Sequence, residues 1–427
     1  MIKKHLKKVT QKKIIILFYL YFICSYIFSQ VEKPYVILVS FDGFRYDYAK
    51  KYQAKNFLMM AKEGVTTKAL LPCYPSKTHP NHYSIITGLK PGHHGLVDNT
   101  FYNPNTDETF VNSNQKFATE KKWYGGVPLW QLVQKNGMKA ASFFWIASEA
   151  PILGKYPDYY IKYGENSNTP NVERINKVME WLDLSPQTRP NFITLYFSLV
   201  DDAGHQYGTQ TEDIGKIVQK ADSLLGYLRA EIKKKKLPIN LIVVSDHGMM
   251  TMPNQDEHFL PIEDLADVKN DTTIQYVSSG FQTHIYVKDK KKQKQLLKSI
   301  KNSVHKDKYR AYLKKNTPIY WGYRDSDLVG DIIVEAKFPY YIGGEVYLNK
   351  LKKNGKKEGQ HGYDAKKYSE MAGIFYAAGP DIIPQLKPMQ AFENIDIYTL
   401  ITQILGLKYD HKIDGKEKTW KGIYKQK

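Results

Sequence analysis

The chain has 427 residues, a formal net charge of +19 and only two cysteines. One cysteine, Cys24, lies in the first thirty residues, so the rest of the chain cannot close an internal disulfide and must be stabilised by a core, which a chain of this length can bury. Lysine runs at 233–236, 290–292 and 356–357 carry much of the excess charge, but no aromatic residues alternate with them. They therefore read as a solvated surface that attracts small anions modestly, and no specific nucleic-acid partner is expected.

In chain order, residues 1–30 read as a targeting segment. Lys3, Lys4, Lys7, Lys8, Lys12 and Lys13 precede an apolar run over 14–28, and Ser29-Gln30 borders a cleavage site. The run falls short of the roughly 20 apolar residues that span a membrane. A cleaved export signal is preferred to a retained anchor, giving a periplasmic or secreted protein that touches a membrane only if 14–28 is kept. Residues 35–40 form a continuous apolar run suited to a central parallel strand, ending at Asp42-Gly43. A polar helical segment to Gly64 and a short strand over 65–71 follow. The stretch 71–99, LPCYPSKTHPNHYSIITGLKPGHHGLVDN, then sets Thr78 where a helix should begin, ahead of an apolar run ending in Thr87-Gly88. A helix over 128–135 stops at Gly137, 140–145 reads as a strand, and 172–182 is an amphipathic helix with Val172, Ile175, Val178, Met179 and Leu182 on one face.

Residues 191–200 read as a strand running into Asp201. Next comes a helix whose Ile214, Ile217, Val218, Ala221, Leu224, Leu225 and Leu228 fall three or four apart, and then the buried strand NLIVVS at 240–245, which delivers Asp246-His247-Gly248. This alternation predicts an α/β fold: a mostly parallel central sheet flanked by helices on both faces. Between 249 and 359 the texture changes to weaker strands, a basic amphipathic helix over 293–304 and segments rich in Lys, Tyr and Gly. A smaller inserted lobe at about 255–358 is expected, within a catalytic domain spanning 31–427. The sheet resumes at 372–378, and a closing helix over 395–405 stops at Gly406.

A threonine hydroxyl is a poor nucleophile unless a base or a metal draws off its proton, whereas the unpaired first amides of a helix can hold a phosphoryl oxygen beside it. Candidate metal ligands are Asp42, Asp201, His205, Asp246, His247 and His361. Three carboxylates with three imidazoles suit zinc better than calcium or magnesium, which favour oxygen shells. Asp201 and His205 are four apart, so a helical turn puts both on one side of an ion. Each residue alone has a plain structural role open to it, as an N-cap, a turn residue or a loop histidine. Together they fall at strand ends or the loops after them, which predicts convergence on a two-metal site.

The motifs PSKTHPNHYSIITGLKPGHHGLVDN, FWIASEA, DDAGHQYG, VVSDHGM and GQHGYD, in this order, resemble the nucleotide pyrophosphatase/phosphodiesterase family of the alkaline phosphatase superfamily, over about 35–406. The resemblance implies an alkaline-phosphatase-like catalytic domain with two Zn2+ ions and a threonine nucleophile. Transferred residue by residue, it gives one zinc to Asp42, Thr78, Asp246 and His247, and the other to Asp201, His205 and His361. Asn99 matches the family asparagine that donates to a non-bridging phosphate oxygen. The activity implied is hydrolysis of a phosphodiester or phosphoanhydride through a covalent phosphothreonine, releasing a monoester such as a nucleoside monophosphate.

Tyr163 and Tyr196 align with family positions that line the pocket for a nucleoside or comparable group. His79 stands where the family usually has a Phe that stacks on a base, and imidazole buries less apolar area, which leaves room for a lipid-headgroup (phosphocholine-type) diester. FWIASEA has Ile146-Ala147 where Pro-Gly is common. His82, His93 and His94 are expected to hydrogen-bond the loop around Thr78, and Cys73 to be a semi-buried filler. A phosphomonoesterase or phosphonate hydrolase on the same fold is the alternative.

Overall fold

The structure is a computed structural model that describes residues 33–253, 255–268, 270–353 and 358–425; the expected targeting segment lies outside them. Residues 35–427 cluster into one unit, the part described below. In chain order its principal strands are β1 (Tyr35–Phe41), β2 (Val65–Thr66), β3 (Ala140–Phe143), β4 (Tyr159–Ile161), β5 (Phe192–Phe197), β6 (Ile239–Val244), β7 (Ile274–Ser278), β8 (Gln282–Val287), β9 (Tyr309–Leu313), β10 (Ile332–Ala336) and β11 (Phe375–Ala378). The principal helices are α1 (Lys55–Glu63), α2 (Thr78–Thr87), α3 (Leu129–Lys135), α4 (Asn171–Asp183), α5 (Leu199–Tyr207), α6 (Glu212–Lys234), α7 (Lys290–Asn302) and α8 (Asp396–Leu405).

YVILVSF forms β1 because both neighbours and both faces are covered: every residue of it is buried. It runs parallel to β5 on one side and β6 on the other, with Val39 opposite both Leu195 and Val243. The seven-stranded sheet has the order β2-β11-β6-β1-β5-β3-β4. β3 is parallel to β4 and β5, while β11 runs antiparallel to β6 and β2. The fold is thus mixed α/β with a central, mostly parallel sheet. Successive side chains of a strand point to opposite faces, so β1 feeds two cores. Val36 and Leu38 pack with Ile85 of α2, Trp130 of α3 and Ile401 of α8. Ile37, Val39 and Phe41 pack with Phe57 of α1, Val178 of α4 and Leu225 of α6.

A second, antiparallel sheet has the order β7-β8-β10-β9. Its core joins Phe281, Ile285 and Val334 to Leu296 and Ile300, the two buried residues of the lysine-rich α7. Two elements differ from the sequence expectation. The strand read over 65–71 divides into β2, beside β11, and Leu70–Leu71, which pairs with Phe392–Glu393 instead. The strand read into Asp201 ends at Phe197, and Asp201 and Asp202 occupy the first turn of α5. Acidic side chains are favoured there by the partial positive charge of a helix N-terminus, which the alternation pattern does not register.

Candidate active site

The carboxyl ends of β1 and β6 lie side by side, so the residues that leave them meet. Asp42 follows β1, its amide held by Phe197 O at 2.9 Å, and Asp246-His247 follows β6 after Ser245. α5 brings Asp201 and His205 from the end of β5, and His361 comes from the loop after the short strand Gly359–Gln360. α2 enters with Thr78 as its first residue, and Thr78 Oγ1 lies 3.2 Å from His247 Nε2.

The three histidines share one arrangement. Nδ1 of His205 is 2.7 Å from Gly359 O, that of His247 is 2.9 Å from Gly248 O, and that of His361 is 2.8 Å from Ser76 O. A carbonyl only accepts, so each ring donates from Nδ1 and, in its neutral form, turns the Nε2 lone pair towards the carboxylates. His247 Nε2 lies 3.0 Å from Asp246 Oδ2 and 3.4 Å from Asp42 Oδ1; Asp201 Oδ1 is 3.6 Å from His361 Nε2 and its Oδ2 3.4 Å from His205 Nε2. Asp42 Oδ1, Asp201 Oδ1 and Asp246 Oδ2 are buried without a hydrogen-bond partner among the described residues. Lone pairs facing carboxylate oxygens at such distances repel unless a cation stands between them.

The electrostatics divide the two strand-end carboxylates. Burial, reinforced by Asp246 and Asp201, pushes the Asp42 carboxyl well above the usual carboxylate range. Burial acts the same way on Asp246, but His247 and His82 outweigh it and hold that carboxyl well below. Burial, then His247 and His205, push the His361 imidazole far down. Among the described residues, donor atoms gather in three overlapping groups: Asp201, His205 and His361; Asp42, Asp201 and His247; and Asp42, His82 and Asp246. The residues present fit divalent cations: mixed oxygen and nitrogen donors, orphaned buried oxygens and preset histidine tautomers.

The first group contains the same three residues that the resemblance assigned to one ion. The other four expected ligands also meet, although Asp201 and His82 share their groups. His82 is also bonded elsewhere: Nδ1 is 3.0 Å from Thr78 O and Nε2 2.8 Å from Ser40 Oγ, so it ties the Thr78 backbone to β1. His94 and His93 bind Ser84 Oγ and Asp414 respectively, and buried Cys73 has its thiol pushed up to about 12, mainly by burial.

The amide side of Thr78 is equally ordered. The His79 amide donates to Asn99 Oδ1 at 3.1 Å, Pro80 has no N–H, and the Thr78 amide at the start of α2 has no partner among the described residues. With its oxygen occupied, Asn99 keeps its NH2 as donor. The His79 ring, kept neutral by burial, which lowers its pKa to about 3, is 3.4 Å from Asn112 Nδ2. Asn112 had no signal in the sequence, and its amide returns to Asn99 O at 3.0 Å, closing the hairpin that connects them. Tyr196 is 7% exposed and donates its hydroxyl to Asp42 Oδ2 at 2.6 Å, so it supports a carboxylate and offers a ligand little more than an edge. Tyr163 is 42% exposed, its ring centred 6.4 Å from that of Tyr196, and forms an open rim.

Comparison with known proteins gives consistent matches. Residues 36–364 match the family described as type I phosphodiesterase / nucleotide pyrophosphatase. Ectonucleotide pyrophosphatase/phosphodiesterase family member 1 of Homo sapiens is 33% identical over 386 residues, which cover 88% of this chain and 40% of that protein. Venom phosphodiesterase 2 of Crotalus adamanteus is 32% identical over 387 residues, covering 88% and 46%. The chain thus spans less than half the length of these relatives. Among solved structures, an inactive threonine-to-alanine form of murine ectonucleotide pyrophosphatase/phosphodiesterase 5, in complex with AMP, superimposes with a TM-score of 0.80 at 26% identity, over 92% of this chain and 100% of that one. The human counterpart has a TM-score of 0.80 at 27% identity, over 91% and 99%.

Proposed function

We infer a function from one premise: the chain belongs to the type I phosphodiesterase / nucleotide pyrophosphatase family. It is a metal-dependent hydrolase of phosphate diesters or phosphoanhydrides, with two Zn2+ ions and a threonine nucleophile. Its catalytic domain covers 31–427 with an inserted lobe at about 255–358. The observation that carries this is the approach of Thr78 Oγ1 to His247 Nε2, 3.2 Å apart, beside three carboxylates with orphaned oxygens. Asp42, Thr78, Asp246 and His247 would hold one ion, and Asp201, His205 and His361 the other. When bound, the ions lower the pKa of the Thr78 hydroxyl and neutralise the departing oxygen.

The chain's own groups do the rest. Thr78 Oγ1 attacks phosphorus, and the bond to the leaving group on the opposite side breaks, giving a phosphothreonine diester. Water then enters from the vacated side, breaks the threonine ester and releases a phosphate monoester. The Thr78 amide and Asn99 Nδ2 take the equatorial oxygens, whose charge grows in both transition states. His79, Tyr163 and Tyr196 flank the retained ester group. The AMP bound to the murine relative supports a nucleotide substrate, with a nucleoside monophosphate released. The neutral His79 ring beside Asn112 favours testing a phosphocholine-type diester as the second reading. Export is supported by relatives named as ectoenzymes and venom enzymes, and no helix of the described residues is long and apolar enough to cross a membrane.

Rates on bis(4-nitrophenyl) phosphate and 4-nitrophenyl phosphate, with zinc, test the assignment. The diester will be turned over faster; a clear preference for the monoester would favour the phosphomonoesterase alternative and reject this one.

A further inference from the structure

Thr78 and Asn99 are each preceded by a buried charged residue: Lys77, 8% exposed, and Asp98, 1% exposed. Both reach the same short turn, residues 279–281 between β7 and β8, closed by the Ser279 amide on Gln282 O at 3.0 Å and by Gly280 at φ 92°. Lys77 Nζ donates to Ser279 O at 3.3 Å and sits 4.6 Å from the centre of the Phe281 ring. Asp98 Oδ2 accepts from Ser279 Oγ and from Gln282 Nε2, each at 2.6 Å, while its Oδ1 accepts the Asn99 amide at 2.7 Å. Gln282 Nε2 is also 3.1 Å from the Tyr323 hydroxyl, which donates to Val97 O at 3.0 Å. One turn of the second sheet therefore grips the chain just before the nucleophile and just before the phosphoryl donor.

We propose that Asp98 is a positioning residue for diester hydrolysis: anchored by Ser279 and Gln282, it fixes the Asn99 backbone so that Asn99 Nδ2 meets the phosphoryl oxygen beside Thr78. The proposal rests on the roles given above to Thr78 and Asn99. Its physical content is a pair of constraints on one residue. Asp98 holds the Asn99 amide, the His79 amide holds the Asn99 side-chain oxygen, and the plane in which the two N–H bonds of the NH2 group lie is thereby fixed. A carboxylate buried under three donors is costly to move, which makes it a stiff anchor. The second sheet thereby enters the chemistry without touching the substrate.

A double-mutant cycle on the zinc-loaded full chain tests this, with bis(4-nitrophenyl) phosphate as probe. Asn99→Ala will lower kcat by about 100-fold and Asp98→Ala by about 10-fold, with KM within about twofold. Asp98→Ala added to Asn99→Ala will cost nothing further, because the group it aims is gone. A merely structural anchor gives the same factor in both backgrounds. Multiplying factors in the double variant, or an Asp98→Ala kcat within about twofold of wild type, overturns the proposal. Melting curves accompany each variant. In case Asp98→Ala does not fold, Ser279→Ala removes one donor and keeps the carboxylate; kcat should drop about threefold in the wild-type background only, and an unchanged kcat overturns the proposal. Activity retained in Thr78→Ala sinks the underlying functional assignment, whereas loss in Thr78→Ala together with multiplying Asp98 and Asn99 factors sinks only the positioning role.

Discussion

In the proposed reaction Thr78 offers one oxygen, and its surroundings owe little to that oxygen. Its amide, the His82 bond to its carbonyl and the packing of α2 do not involve the hydroxyl. Thr78→Ala is therefore expected to fold and to keep bound zinc through the remaining ligands, yet lose at least about 1,000-fold in kcat, since the attacking oxygen is gone. Circular dichroism, metal analysis and turnover on one preparation will check this, and activity within tenfold of wild type would contradict it. Tyr196 tests a different dependence. Its hydroxyl satisfies one oxygen of Asp42 and leaves the other for a cation, so Tyr196→Phe should weaken zinc affinity by about 10–100-fold with little change in melting temperature at saturating zinc. Competition with a chelator measures it; unchanged affinity would show that Asp42 needs no such support.

At the scale of elements, α2 is the part on which the site hangs. Thr78 begins it, and Gly88 ends it at φ 68°, the left-handed conformation in which a helix commonly stops. A side chain at Gly88 would be strained by that φ, and its Cβ would stand 3.0 Å from Cβ and Cγ of Tyr398 in α8. Gly88→Ala should accordingly destabilise the protein by about 1–2 kcal/mol, while kcat of the folded fraction stays within about twofold because the helix start is far from the change. Thermal melts and zinc-saturated kinetics separate the two effects. α2 was legible from its apolar run and closing glycine. α5 was legible only in part: the spacing of Asp201 and His205 allowed a helical turn, but Leu199-Val200 prolongs the apolar run of β5 and hides where the strand stops and the helix starts.

Over the whole molecule, burial of neutral imidazoles sets an acid limit. His94 and His284 each have pKa values lowered to about 3, chiefly by burial. His94 accepts the Leu96 amide on Nδ1, and His284 accepts the Gly330 amide on Nδ1, so a second proton has no place on either ring. Both titrate lower in the folded chain than unfolded, so the unfolded state binds more protons below about pH 6.5. Their contribution is intact above that pH and falls as pH drops towards 3, by up to about 1.4 kcal/mol per unit for each ring. Urea midpoints at about pH 7 and about pH 5 should differ accordingly. His284→Asn places an oxygen where Nδ1 accepts from Gly330 but takes no proton, and should narrow the gap; an equal gap in the variant would exclude His284 as a source.

The alternation of strands and helices, the buried character of β1 and β6 and the acidic residues at their carboxyl ends could all be read along the chain, because hydrophobic period and strand-end polarity are local properties. Which histidines face which carboxylates was decided only in three dimensions: Asp201 comes within reach of His361 by way of α5 and a loop 160 positions further on. The clasp of Asp98 by Ser279 and Gln282 was also invisible along the chain, since those partners lie 181 and 184 residues away. Hydrogen bonds over such separations leave no periodic mark in the residues that make them; they exist because two sheets are folded against the same loop.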